Sequence, residues 1–161
     1  MIAIEPWSAK HAEGVFSLIL PIQREEFGIP ITRADQPDLA DISGYYQRGA
    51  GNFWVATHGV EVVGTIALLD IGNRQAALRK MFVAPNYRGH EHGTAKRLLD
   101  ALIDWSRARG LREIFLGTTE KFVAAHRFYE KHDFHEIARA ELPASFPVMI
   151  VDSKFYARSL S

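Results

Sequence analysis

Apolar residues recur at two spacings along this chain, and the switches between the two mark out its elements. Residues 1–5 alternate as a short strand does. Ser8 then stands where a helix cap is wanted, and Ala12, Val15, Phe16, Ile19 and Leu20 follow at helical spacing until Pro21, which ends or kinks the helix. The pattern breaks up over 23–51, where Pro30, Pro37 and several glycines interrupt it, leaving room for one short helix over 38–47. Phe53, Val55 and Thr57, then Val60, Val62, Gly64, Ile66 and Leu68, alternate as two strands joined in a hairpin across His58 and Gly59. A third run over 76–83 completes an antiparallel meander and stops at Ala84, Pro85 and Asn86. Helical spacing returns in Ala95, Leu98, Leu99, Leu102 and Ile103, with Lys96, Arg97, Asp100, Asp104 and Arg107 on the opposite face. This helix starts near 92–94, and Gly110 stands where a left-handed residue closes it. Residues 113–116 read as a buried strand and 120–131 as a helix with Glu120 in its first turn. Strands over 134–138 and 148–155 finish the chain. Strands first, then β-α-β, then α-β-β: the order predicts an α/β (α+β) fold with a mixed central sheet flanked by helices. No internal repeat, low-complexity tract or linker composition divides it, so one domain is expected over 1–161.

Composition narrows the chemistry. In 161 residues, 47% of them apolar, 19 Lys and Arg are matched by 19 Asp and Glu, so no net field attracts nucleic acid or an anionic membrane. An anionic ligand must be held by a local device. There are no cysteines, which removes disulfides, thiolate metal ligands and a Cys nucleophile together. The first residues lack a basic stretch followed by an apolar one, and no window approaches the roughly 18 apolar residues of a membrane span, so a cytoplasmic protein is expected.

The device lies in YRGHEHG, residues 87–93, directly before the amphipathic helix. The first N–H groups of a helix have no internal acceptor, glycines let backbone approach a ligand closely, and Arg88 adds positive charge. A pyrophosphate suits such a turn. Two other readings compete. A metal could be sought in His90, Glu91 and His92 with His132 and His135, but neighbouring turn positions do not converge as i, i+4 histidines do, and no metal is expected. The turn could also merely start a helix, and its residues alone do not decide.

The strand KMFVAP, the turn YRGHEHG, the helix, the strand EIFLGTT and the segment AAHRFYEKHDF together resemble the GNAT superfamily of acyl-CoA N-acyltransferases. Its signature of Gln or Arg, two residues, Gly, one residue, Gly or Ala is met by Arg88 at the first position and Gly93 at the last, with Glu91 in place of the middle glycine. Phe122 replaces an Asn that precedes Ala125, Phe128 and Tyr129 in the family. The resemblance implies a sheet whose antiparallel N-terminal strands lead to parallel fourth and fifth strands that splay apart. Acetyl-CoA, the implied co-substrate, would lie in that opening. Its pantetheine would be held by backbone at Met81, Phe82 and Val83, and its pyrophosphate by Arg88, Gly89, His90, Glu91, His92, Gly93 and Thr94, with Ala125 and Phe128 beside it. A homodimer is also common in the family.

The resemblance implies transfer of an acetyl group to a primary amine of a small molecule or peptide. Without a cysteine, direct attack within a ternary complex is expected. A backbone N–H at Met81 or Phe82 would face the developing oxyanion. Tyr129 matches the family's donor to the departing sulfur. Because a phenol is less acidic than a thiol, it would act chiefly by hydrogen bonding. Glu25, Glu26, His58, Glu61, Asp70 and Asp152 are candidates to take the substrate's proton, directly or through water. Phe27, Tyr45, Tyr46, Phe146 and Met149 could line the acceptor pocket, where Arg24, Arg33 and Glu25 would suit an amine bearing a carboxylate. His126, His132 and His135 are expected at the surface. A non-catalytic acyl-CoA-binding or interaction domain is the alternative, encouraged by Glu91.

Overall fold

The computed structural model describes residues 1–89 and 91–160. Strand β1 (Ile2–Pro6) leads into a 3-10 turn and α1 (Ala12–Pro21), which widens into a π-helical turn at Ile22–Glu26. The α-helix ends at Pro21, as expected, but the chain keeps a helical course through the π turn. Two single-turn helices, α2 (Pro37–Ala40) and α3 (Ile42–Tyr45), replace the one expected over 38–47, because the Asp41 carboxylate accepts the Gly44 N–H and starts a fresh turn. Next come β2 (Asn52–His58), β3 (Glu61–Gly72), β4 (Gln75–Val83), α4 (Thr94–Ala108), β5 (Glu113–Thr118), α5 (Val123–Lys131), β6 (His135–Ile137) and β7 (Lys154–Ser159).

These strands form one seven-stranded sheet in the order β1-β2-β3-β4-β5-β7-β6. The first four are antiparallel neighbours, β4 and β5 are parallel across the α4 crossover, and β7 returns antiparallel to β5. On one face, Leu98, Leu99, Leu102 and Ile103 of α4 pack with Trp54, Ile66, Leu78 and Ile114 of the sheet. On the other, Val15, Phe16, Leu18 and Ile19 of α1 cover Phe53, Val55, Val62 and Ala67. Helix α4 ends as the glycine suggested. The Gly110 and Leu111 N–H groups donate to the Arg107 and Ser106 carbonyls at 3.1 and 3.0 Å, a Schellman closure.

Three local expectations are corrected. Val60 sits in the β2–β3 turn, fully exposed, rather than in a strand. Glu120 lies ahead of α5 in a turn closed by the Phe122 N–H on the Thr119 carbonyl, so it does not belong to the helix's first turn. The last strand runs over Lys154–Ser159, not 148–155. The Asp152 carboxylate accepts the Met149 N–H at 2.8 Å and folds the apolar run 148–151 into a turn that leaves Ile150 in solvent.

Candidate active site

The parallel pairing of β4 with β5 lasts only from Gln75 opposite Glu113 to Ala77 opposite Phe115. Beyond it β4 stays with β3 and β5 stays with β7, so residues 78–83 and 116–118 face each other across an unpaired opening. Within that stretch β4 bulges: Lys80 and Met81 together oppose Ile66, and Lys80 takes the left-handed φ of 52°. Such a backbone is costly for a side chain larger than glycine and persists only where the surroundings hold it. Here the Thr65 hydroxyl donates to the Lys80 carbonyl at 2.7 Å.

One end of the opening meets the turn before α4. Gly89 (φ 97°) and Gly93 (φ 59°) carry the backbone through conformations that side chains disfavour, with open space where a Cβ would stand. Thr94, the first residue of α4, is 1% exposed, and its Oγ1 is buried without a hydrogen-bond partner among the described residues. Glu91 and His92 point to solvent, and the His92 ring rests beside Tyr87, which in turn meets His58. His90 lies outside the described residues. Arg88 is not a free charge. Its Nε donates to the Val83 carbonyl at 2.8 Å, and its two Nη groups grip both Glu26 oxygens at 2.5 and 2.8 Å. That hydrogen-bonded pair holds the Glu26 carboxyl below the usual carboxylate range and leaves it a poor base.

Helix α5 brings Tyr129 into the core beside Phe134 and Tyr156, with ring centroids 5.7 and 5.9 Å away. Ala125 and Phe128 pack half-buried on the same cluster. Burial pushes the Tyr129 phenol pKa well above its ordinary 10, and no described residue hydrogen-bonds its hydroxyl. Phe122 sits edge-on to Phe27 at 4.4 Å, and Lys121 Nζ reaches the Phe27 carbonyl at 3.4 Å, tying this loop to the segment after α1. His126, expected at the surface, is buried; its Nε2 donates to the Thr119 carbonyl at 2.9 Å and braces the loop before α5.

The α1 face of β4 holds residues that no motif singled out. Lys80, its side chain 11% exposed, donates to Gln36 Oε1 at 2.7 Å and lies 3.7 Å from Asp38. Asp38 accepts the Tyr46 hydroxyl at 2.6 Å, and Gln36 exchanges two 3.0 Å bonds with Gln23. Burial lowers the Lys80 pKa against the pull of Asp38. Arg79, one position earlier, reaches the Tyr45 hydroxyl at 3.2 Å and the Met149 sulfur at 3.5 Å. Asp152 is half-buried against Gly117, where a Cβ would stand 2.6 Å from its Oδ2. Burial raises its pKa, opposed by the Met149 N–H and the nearby guanidiniums of Arg79 and Arg139. The signal for this group was present as two adjacent cations inside the otherwise apolar run AALRKMFV, which can be buried only with partners.

Several candidates lie elsewhere. Asp70 accepts the Ala50 and Gly72 N–H groups at the paired end of the sheet. Glu25 and Glu61 border a cleft of about 690 Å³ between α1, the β2–β3 turn and Pro85, whose wall also includes the Glu26–Arg88 pair. Arg33 pairs with Glu13 over the Phe16 ring, away from β4. Tyr46 and Phe146 are core residues rather than pocket lining, whereas Tyr45 and Met149 are exposed beside Arg79. Among the described residues, no group of three or more His, Cys, Asp or Glu converges to hold a metal, and no helix is long and apolar enough to cross a membrane.

The sequence matches the family model for the acetyltransferase (GNAT) family over residues 16–134. The chain belongs to this family. An acetyltransferase of the GNAT family from Staphylococcus aureus Mu50 superposes with a TM-score of 0.94 at 41% identity, covering 100% of both chains. N-acetylaspartate synthetase of Xenopus tropicalis is 37% identical over 108 residues, which are 65% of this chain and 38% of that protein. N-acetyltransferase family 8 member 2 of Rattus norvegicus is 32% identical over 111 residues, 66% of this chain and 48% of that one. The chain thus spans less than half the length of these two relatives. The mixed sheet with its parallel β4–β5 pair is the fold the sequence resemblance implied.

Proposed function

We propose that this GNAT protein moves an acetyl group from acetyl-CoA to a primary amine of a small molecule, by direct attack in a ternary complex. The observation that carries the reading is the opening between β4 and β5, which leaves strand edges unpaired beside a helix start whose buried Thr94 hydroxyl has no partner. Residues and group match: backbone at Met81, Phe82 and Val83 offers strand-like hydrogen bonds to pantetheine amides, and the amides of Gly89, Glu91, His92 and Thr94, in a turn that Gly93 closes, suit a pyrophosphate. Arg88 serves by fixing the turn through Val83 and Glu26 rather than by lending unpaired charge. Ala125 and Phe128 form the apolar wall on the α5 side. The Glu91 side chain is exposed, which is compatible with a carboxylate turned away from a bound pyrophosphate.

Acetyl-CoA supplies an activated thioester when bound. The protein must provide a donor to the acyl oxygen, a donor to the departing sulfur and an acceptor for the amine's proton. We assign the first to the bulged backbone at Met81 and Phe82 and the second to Tyr129. With its pKa raised by burial, Tyr129 would transfer its proton to a thiolate only against a gap of more than about 2 kcal/mol, so it works as a hydrogen-bond donor. Tyr129→Phe keeps the ring packing, and kcat is expected to fall about 100-fold while calorimetric acetyl-CoA affinity stays within about twofold. An unchanged kcat would remove Tyr129 from the mechanism.

Asp152 is the proton acceptor we assign, acting through water. A carboxyl whose pKa is raised by burial stays protonated to higher pH, so activity rises as pH climbs through that raised value. Asp152→Asn is expected to lower kcat/KM at neutral pH by about 100-fold and to flatten the acid limb of the profile. A limb that survives in the variant would assign it to another group. The whole reading is tested by thiol release from acetyl-CoA against amino acids, polyamines, aminoglycosides and peptides. Binding of acetyl-CoA with no release for any amine would overturn it.

A further inference from the structure

We infer that Arg79 is the anchor for a carboxylate on the acceptor, so that the substrate is a small zwitterion with its amine and carboxylate close together, as in an amino acid. This rests on the transferase reading above. Lys80, the neighbour of Arg79 on the same face, has Asp38 as an acidic partner, and Arg88 beyond the bulge has Glu26. Arg79 has none within ion-pair distance among the described residues. Its guanidinium rests on two neutral groups, the Tyr45 hydroxyl and the Met149 sulfur, and lies over the Tyr45 and Tyr46 rings, 5.8 and 5.9 Å from their centroids. Asp38 is occupied by Tyr46 and Lys80, and Asp152 is turned to the Met149 N–H.

Position turns this guanidinium into a site. Arg79 immediately precedes the bulged Lys80, so its side chain emerges on the α1 face next to the unpaired stretch of β4. Tyr45 and Met149, its two contacts, are 40% and 43% exposed, so both can yield to a ligand from solvent. A planar guanidinium matches a carboxylate with paired N–H groups, a match that neither a hydroxyl nor a thioether makes. An amine held by its neighbouring carboxylate at Arg79 would then lie between the bulge and Asp152. A peptide N-terminus or a polyamine has no carboxylate to offer there.

The test uses the whole chain with saturating acetyl-CoA and matched acceptors: amino acids, their primary amides and the corresponding decarboxylated amines. Free amino acids are expected to be preferred by about 30- to 100-fold in kcat/KM, the range of one charge-assisted contact. Arg79→Gln should erase that preference, chiefly through KM, while Arg79→Lys retains part of it and both keep wild-type affinity for acetyl-CoA. The wild-type preference decides the matter even if a variant folds poorly. Amides and decarboxylated amines used as readily as the acids would overturn the carboxylate anchor and leave the transferase reading standing. If acetyl-CoA binds but no amine releases thiol, both readings fall.

Discussion

Replacing Gly93 by proline is expected to abolish measurable acetyl-CoA binding, a loss of more than about 100-fold in Kd by calorimetry. Gly93 caps α4 at φ 59°, whereas proline is held near −65°, so the turn cannot keep its path. The substitution also deletes the N–H that closes the turn on the Gly89 carbonyl at 3.3 Å. The amides of 91–94 would then point away from one another, and α4 itself would survive, because its stability comes from Leu98, Leu99, Leu102 and Ile103 farther along. Circular dichroism and melting should therefore change little beside the binding loss. Gly93→Ala is the control. Nothing lies within 4 Å of the added Cβ, so its cost is the left-handed backbone alone, about 1–2 kcal/mol of stability, with binding weakened rather than lost. Gly93→Pro binding acetyl-CoA like the wild type would sink the assignment of this turn to the pyrophosphate.

What the sequence made legible was whatever depends on local repetition. The α4 face, its closing glycine and the β2–β3 hairpin follow from periodicity and turn chemistry, although β3 runs on to Gly72, four residues past its expected end. The opening in the sheet came from resemblance, since no spacing announces that two strands will part after Ala77 and Phe115. Three features escaped: one depends on a partner remote in sequence, one on backbone a side chain seldom adopts, and one on a local carboxylate contact that apolar alternation does not register. Glu26 meets Arg88 across 62 positions, so a candidate base became a structural anion. Lys80 takes a glycine-like φ without being glycine. Asp152 captures the Met149 N–H and converts an apolar run that alternation assigns to a strand into a turn. The last of these also moved a carboxylate against Gly117, where it could be weighed as a base.

Asp38→Ala is expected to destabilise the fold by about 3–5 kcal/mol, because it strands the Lys80 ammonium in a buried setting and leaves the Tyr46 hydroxyl unpartnered. For a chain of this size that is a fall of roughly 6–20 °C in melting temperature. Lys80 explains why the effect reaches beyond α2. Burial already holds its pKa below 10.5, so the folded state binds that proton less readily than the unfolded chain does. Stability consequently rises with pH from the depressed value up to 10.5. Removing Asp38 deletes the charge that supports the ammonium, depresses the pKa further and extends this rising window toward neutrality. Denaturant melts of Asp38→Ala between about pH 7 and 9.5 should show a steeper gain in stability with pH than the wild type. The double variant Asp38→Leu with Lys80→Met removes both charges and should recover much of the loss, while the bulge keeps only the Thr65 hydroxyl to hold it. Recovered stability with impaired turnover would separate the pair's two duties, balancing a buried charge and fixing the strained backbone beside the opening. If turnover recovers together with stability, Lys80 has no part in holding that backbone.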